Sequence, residues 1–339
     1  MTAAPRTPLA VTMGEPAGVG GDLILAAWAS RRRRRLPPFV VLDDPARLRA
    51  LAATLGLDIA VREVAAAAEA GSHFDSALPV LPVALAAPVT PGRPDARNAP
   101  AVIESIDRAV DLALSGDVGG IVTAPVHKAT LYKAGFRAPG HTEYLAERAG
   151  APGAVMMLAC PQLRTVPVTV HVSLREAIRT LSTAAIVATG KILAAALAAD
   201  FGLARPRIAV AGLNPHAGED GAMGDEEIRI IAPAVAALAA AGIDVTGPHA
   251  PDGMFHAHAR DTYDAALCMT HDQALIPLKA IGFDEGINVT LGLPFVRTSP
   301  DHGTAFALAA TGHANPGSTV AALTACGEIA ARRRAAPAR

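Results

Sequence analysis

Short apolar runs that end in a glycine or polar residue and pass directly into a helical pattern recur along this chain, and they constrain its fold more than any other feature. Residues 9–13 lead through GEPAGVGG into a helix from Asp22. Residues 119–123 lead through TAPVHK, and residues 208–213 lead through NPHAGEDG to a helix over 226–241. Strands that alternate with helices build parallel sheets, because a parallel neighbour needs a crossover connection. Hydrophobic residues make up 51% of the 339 positions and aromatics only 4%, so the core must come from Ala, Val, Leu and Ile. The fold class that follows is α/β, with length enough for two lobes.

Charge and punctuation exclude several roles. A formal net charge of -1 gives no electrostatic reason to expect nucleic acid or an anionic membrane as partner. Lys191 and Pro233 interrupt the two Ala-rich candidates for a membrane span, and the start MTAAPRTPLAVTMGEPAG lacks the apolar run of a leader. Cys160, Cys268 and Cys326 are odd in number and far apart, which points to a reducing, cytoplasmic setting without disulfides. The arginines at 31–35 suit the solvated end of a helix, and the tail RRRAAPAR suits a frayed terminus.

The stretch 264–304, DAALCMTHDQALIPLKAIGFDEGINVTLGLPFVRTSPDHGT, packs histidine, lysine, asparagine and arginine between apolar runs. Residues 289–296 read as one buried strand that delivers Arg297, Thr298 and Ser299 into a helix opening near Asp301. Unpaired N–H groups at such a helix start attract phosphate or carboxylate, and Arg297 can add a bidentate fork. Near the N-terminus, the glycine-rich turn followed by Asp43 and Asp44 mimics a dinucleotide fingerprint. It fails on Leu23, where glycine or alanine is needed, so the turn lines a substrate or cofactor in another way.

Three histidines sit in similar settings. His171, His216 and His271 each close an apolar strand, the pattern of three strand ends converging on one point. Three imidazoles bind zinc-like ions and leave positions open for substrate. Their separations of 45 and 55 residues match no compact metal motif, and a hydrogen-bonded cap is the plainer reading of any one of them. Cys268, three residues along the strand from His271, points to the opposite face and belongs to the core. His141 and Thr142 precede a helix with Thr142 as a candidate N-cap, and Ser173 with Glu176 forms a capping box after His171.

Taken together, MGEPAGVG, VTAPVHK, PGHTEYLA, GLNPHAGEDG, HDQALIPLK and NVTLGLPFVRTSPDHGTA resemble the 4-hydroxythreonine-4-phosphate dehydrogenase family of vitamin B6 biosynthesis over nearly the whole chain. The resemblance implies a two-lobed α/β/α fold similar to isocitrate and isopropylmalate dehydrogenases, with the active cleft between lobes. The expected lobes are 1–130 plus 285–339, and 131–284 carrying the metal-ligand histidines and dimer contacts. It further implies His171, His216 and His271 as metal ligands and His141, Thr142, Lys279, Asn288 and Arg297 as substrate contacts. Lys279 is the leading candidate for an electrostatic or acid–base role, and Asp272 can orient His271. Implied partners are NAD or NADP, a divalent metal (Zn, Mg or Co), a small phosphorylated substrate and a second copy in a homodimer with shared sites.

The pattern is departed from at Glu15, where Asp is usual, at Gly21-Asp22, where Pro-Glu is common, and at Thr270, where a tyrosine commonly precedes the histidine. Losing that aromatic opens space beside the site. Two alternatives stand beside the implied activity. One is a sibling dehydrogenase of a phosphorylated sugar acid such as 4-phospho-threonate or 4-phospho-erythronate; the other is a metal-dependent small-ligand binding protein without turnover.

Overall fold

The computed structural model describes residues 7–138, 140–151 and 153–335. Twelve strands occur among them: β1 (Leu9–Thr12), β2 (Phe39–Asp43), β3 (Val61–Glu63), β4 (Leu78–Pro82), β5 (Ile121–Val122), β6 (Val155–Cys160), β7 (Leu163–Pro167), β8 (Arg207–Ala211), β9 (Asp244–His249), β10 (Ala265–Cys268), β11 (Ile287–Leu291) and β12 (Arg297–Pro300). The chain forms two compact units. Among the described residues, the first comprises 7–138, 140–151 and 293–331, and the second 153–292 with 332–335. In this division residues 131–138 and 140–151, with His141 and Thr142, belong to the first unit, and 285–292, with Asn288, to the second.

In the first unit the strand order is β3-β4-β2-β1-β5-β12, and every pairing is parallel. Helices alternate with these strands as the apolar patterning predicts; Gly20–Ala29 follows β1 and Ala99–Ser115 precedes β5. Four strands of the second unit, in the order β7-β10-β8-β9, are also parallel. Strands β11 and β6 extend that sheet in antiparallel pairing. Parallel strands put all their carboxyl ends on one edge, and in the second unit the segments leaving that edge carry His171, His216 and His271.

Two expectations about the 264–304 stretch are corrected. The strand over 289–296 is broken, because Gly292 takes a left-handed φ of 83° and Pro294 has no N–H for a ladder. Arg297, Thr298 and Ser299 themselves form the buried strand β12. No helix opens at Asp301; its N–H is taken by the Ser318 hydroxyl at 3.0 Å, and the next α-helix is Gly317–Ala335. That helix carries Arg332–Arg334 in its last turn, where the sequence expected fraying; residues 336–339 lie outside the described residues. Cys268 is fully buried as expected, and burial pushes its thiol up to about 12. No single helix among the described residues is long and apolar enough to cross a membrane.

A single buried hydroxyl ties the first unit's helix Ala99–Ser115 to its sheet. Ser105 Oγ accepts from Met13 N–H at 2.9 Å and donates to the Leu42 carbonyl at 2.8 Å, anchoring the ends of β1 and β2 at once. Ser105→Ala leaves a buried N–H without a partner and should destabilise the first unit by about 1–3 kcal/mol. Urea unfolding followed by circular dichroism checks this; an unchanged midpoint would refute it.

Candidate functional site

The first unit gathers a buried cation and an imidazole beyond the carboxyl end of β5: Arg297 opens β12 but reaches Thr123, the residue after β5, and His141 lies close enough to feel its charge. Arg297 pairs in register with Ile121, and its Nε and Nη2 donate to Thr123 Oγ1 at 3.1 and 2.6 Å. Burial lowers the Arg297 pKa to about 10, while the charge of Glu143 works in the other direction. His141 opens the helix His141–Arg148, with Gly140 at the N-cap position; Thr142 lies in the first turn and is not the cap. Leu145 buries that helix against the unit, and Tyr144 Oη donates to Asp107 Oδ1 at 2.6 Å. His141 Nε2 is itself buried without a hydrogen-bond partner. Burial, and then the positive charges of Arg297 and Lys128, lower its pKa to about 3. A neutral imidazole with an orphaned nitrogen beside two cations is an incomplete anion site, since buried polar atoms are normally paired.

Close packing shapes the neighbouring loop. Gly14 has φ +67°, and a Cβ there would come within 2.7 Å of the Ala124 Cβ, so only glycine permits the approach. Glu15 N–H then donates to the Pro125 carbonyl at 2.8 Å. His127 Nδ1 lies 2.6 Å from Thr130 Oγ1, and its ring meets Phe306 edge-on at 5.2 Å. These bonds hold the VTAPVHK segment against the glycine-rich turn.

In the second unit, β7, β10 and β8 are adjacent, and His171, His271 and His216 all follow their carboxyl ends. Val168 N–H donates to the Cys268 carbonyl at 2.8 Å, and Thr169 Oγ1 donates to the Met269 carbonyl at 2.8 Å. This continuation beyond the strands brings the His171 and His271 rings to 5.8 Å between centroids. His271 starts the helix His271–Gly282, and its Nδ1 lies 2.8 Å from Asp272 Oδ1. A carboxylate on Nδ1 leaves Nε2 to a ligand, as is common for metal-binding imidazoles. A small cleft of about 170 Å³ lies against both rings and is lined in part by Thr270.

His216 does not join this pair. It begins a left-handed run through Asp220, with φ between 40° and 79°, and is exposed. Among the described residues, no group of three potential metal ligands gathers within one chain. The unusual loop is held by Glu227, whose Oε1 accepts from the N–H groups of Leu213 and Asn214, each at 2.7 Å. Burial alone would raise the Glu227 pKa, but the hydrogen bonds from Asn214 and Leu213 outweigh it and hold the carboxyl below its ordinary range. The sequence carried this residue in GDEE without marking its role.

Lys279 is half-buried on the helix His271–Gly282. Asn288 lies on β11 with a buried Oδ1 that lacks a partner. After His171, Ser173 Oγ accepts from Glu176 N–H at 3.3 Å as an N-cap, whereas the Glu176 carboxylate pairs with Arg179 instead of closing the box. Asp252 sits in the short 3-10 turn Pro251–Gly253.

Cationic and imidazole groups collected at strand ends equip a small-molecule enzyme with an anionic substrate, and that is the class the fold and site define. Comparison with known proteins narrows it: the model of the pyridoxal phosphate biosynthetic protein PdxA family matches residues 35–326, and the chain belongs to that family. It is 52% identical to the 4-hydroxythreonine-4-phosphate dehydrogenase of Bradyrhizobium diazoefficiens, covering 97% of each chain. The structure of that dehydrogenase from Klebsiella pneumoniae superposes with a TM-score of 0.85 at 41% identity, covering 96% of this chain and 99% of that one. The Burkholderia phymatum structure gives 0.80 at 37% identity, covering 95% and 98%.

His141 makes the first unit sensitive to acid. Its folded pKa of about 3 lies below the ordinary 6.5, so between these values the unfolded chain binds a proton that the folded chain refuses. The stability this contributes is complete above pH 6.5 and is lost progressively as pH falls towards 3. Thermal unfolding measured across that window should show a shallower pH dependence in His141→Gln than in the parent. An equally steep fall in both would rule out His141 as the source.

Proposed function

We propose that the chain is an NAD(P)-dependent oxidoreductase of pyridoxal 5'-phosphate biosynthesis. In this reading it oxidises 4-phosphooxy-L-threonine to a β-keto acid, which loses CO2 to give 3-amino-2-oxopropyl phosphate. The observation that carries it is the His171–His271 pair, with Asp272 behind one ring, in a chain of the PdxA family.

Each set of residues has a task. Arg297, held by Thr123, binds the phosphate, with Lys128 adding charge and neutral His141 offering its unpaired nitrogen. Thr142 and Asn288 contact the substrate, and the orphaned Asn288 Oδ1 supports that role. His171 and His271 would hold a divalent ion through imidazole nitrogens, which suit Zn or Co, whereas Mg would rely more on substrate oxygens; Asp272 on His271 Nδ1 leaves Nε2 for the ion. When bound, the divalent ion acidifies the substrate alcohol and stabilises the charge left by departing CO2. Lys279 is the candidate base for the alcohol proton, and NAD or NADP, when bound, would supply the acceptor for the hydride on the same carbon.

A homodimer with shared sites completes the reading. His171 and His216 are exposed imidazoles. Around them lie exposed apolar side chains, Leu174 at 67%, Ile178 at 49% and Ile228 at 56%. Apolar surface of this kind beside an incomplete ligand set is what a second copy would cover, supplying the third histidine. The three cysteines are buried thiols and form no disulfide, in accord with a cytoplasmic setting.

The test is NAD(P)H formation, followed by absorbance, with 4-phosphooxy-threonine and with 4-phospho-threonate. Turnover of the amino substrate alone is expected, abolished by chelation and restored by Zn, Mg or Co. Arg297→Met should lower kcat/KM on the order of a hundredfold, chiefly through KM. Turnover of the threonate alone would replace this substrate with the sugar acid, and turnover of neither would leave a binding protein.

A further inference from the structure

The helix Ala99–Ser115 carries a second attachment besides the one Ser105 makes to the sheet. Val102, Ile106, Ala109 and Val110 bury one face of it, and Asp107 and Asp111 receive the helix His141–Arg148. Tyr144 Oη donates to Asp107 Oδ1 at 2.6 Å, Arg148 Nε lies 3.2 Å from the same oxygen, and Arg148 Nη2 donates to Asp111 Oδ1 at 2.9 Å. The two kinds of link differ in strength. Arg148 keeps 38% of its side chain in solvent and Asp111 66%, and ion pairs between such exposed groups contribute little. The Tyr144 bond is short, part-buried and charge-assisted, because a phenol donates to a carboxylate, so it sets the position of the helix. Burial, and then that bond, push the Tyr144 pKa up and keep the phenol a donor.

Aromatic packing extends this tether to a second element of the site. The chain has only 3 tyrosines, and Tyr132 and Tyr144 stand on either side of Phe136. The Phe136 ring lies 4.8 Å from that of Tyr144 and 6.4 Å from that of Tyr132, which belongs to the short helix Lys128–Lys133. Three rings in series, in a chain so poor in aromatics, fix the start of that helix relative to His141. The closeness is visible at Gly140, where a Cβ would come within 2.6 Å of Glu143 Oε2 and 3.5 Å of Lys128 Nζ.

Arg297 is held independently, by Thr123 after β5. His141 lies one helical turn before Tyr144, with Thr142 beside it. The spacing between Arg297 and these two groups therefore depends on where the helix His141–Arg148 docks. Hydrogen bonds to one anion weaken steeply when a donor or acceptor leaves its place.

We propose that Tyr144 is a positioning residue for the anionic group of the substrate: through Asp107 it holds His141 and Thr142 at the spacing from Arg297 that a phosphate spans. The substrate rests on the dehydrogenase reading, and the tether does not.

Two measurements on the full-length protein test this, the kinetics of 4-phosphooxy-threonine oxidation and the binding of inorganic phosphate by isothermal titration calorimetry. Tyr144→Phe keeps the ring contact with Phe136 and removes the hydroxyl. KM should rise and phosphate affinity should fall by about tenfold, with kcat within about twofold and circular dichroism unchanged. Asp107→Leu strands the same hydroxyl and should reproduce the loss, whereas Asp107→Asn keeps an oxygen acceptor and should stay within about threefold of the parent. Arg148→Gln, which removes the exposed ion pairs, should do no more than that. Unchanged KM and phosphate affinity in folded Tyr144→Phe overturns the proposal. So does a loss carried by kcat, or an Asp107→Asn as damaging as Asp107→Leu, since either marks a merely structural role. A parent that binds phosphate through this tether yet oxidises no phosphorylated hydroxy acid would sink the proposed substrate and leave the positioning role standing; a parent that binds no phosphate would sink the positioning role.

Discussion

A parallel sheet exposes backbone donors and acceptors where its strands end, and the working loops of this chain exist because single side chains satisfy them. Ser105 bridges the ends of β1 and β2, Asp44 takes the N–H groups of Ala46 and Arg47, and Glu227 takes those of Leu213 and Asn214. Gln273 does the same beyond β10, accepting from Met269 and Thr270 N–H while its amide donates to the Gly212 carbonyl at 3.0 Å. Without such partners these segments would carry buried polar groups at a cost of about 1–3 kcal/mol each. Their irregular paths are therefore fixed and not merely permitted.

The two units divide the chemistry. In the first, burial lowers the pKa of both Arg297 and His141, weakening the hold of each on its proton. An anionic ligand works against that shift for the cation, which gives a buried cation a reason to remain charged. In the second, the groups are two imidazoles, with a carboxylate behind one ring. The left-handed conformations of His171 and of the His216–Asp220 run are sparsely populated by residues other than glycine, and such strain persists only where surroundings enforce it. Glu227 anchors the segment that leads into the second of these, through Leu213 and Asn214.

Much of this was legible in the chain. The helix over 183–199 follows from its apolar pattern after Ser182, whose hydroxyl accepts from Ala185 N–H. Ser173 caps its helix as its position predicts. The break after Leu291 was missed because the apolar run continues through Leu293, Phe295 and Val296, and hydrophobicity alone does not register that Gly292 turns left-handed. The missing helix at Asp301 has a similar cause: the Ser318 hydroxyl captures the Asp301 N–H, a partner seventeen positions away that no local window includes.

Local periodicity and motif order are properties of neighbouring residues, and for that reason the sequence by itself determined the α/β class, the family resemblance and the identity of the candidate residues. Tertiary structure alone decided which of them meet. His171 and His271 stand together because β7 and β10 are neighbours in the sheet, and Thr123 grips Arg297 because β5 and β12 are. The cleft of about 550 Å³ beside the glycine-rich turn arises from loops far apart in the chain. Each is a long-range pairing selected by burial of whole strands, a free energy that depends on the assembled sheet and is written in no single segment.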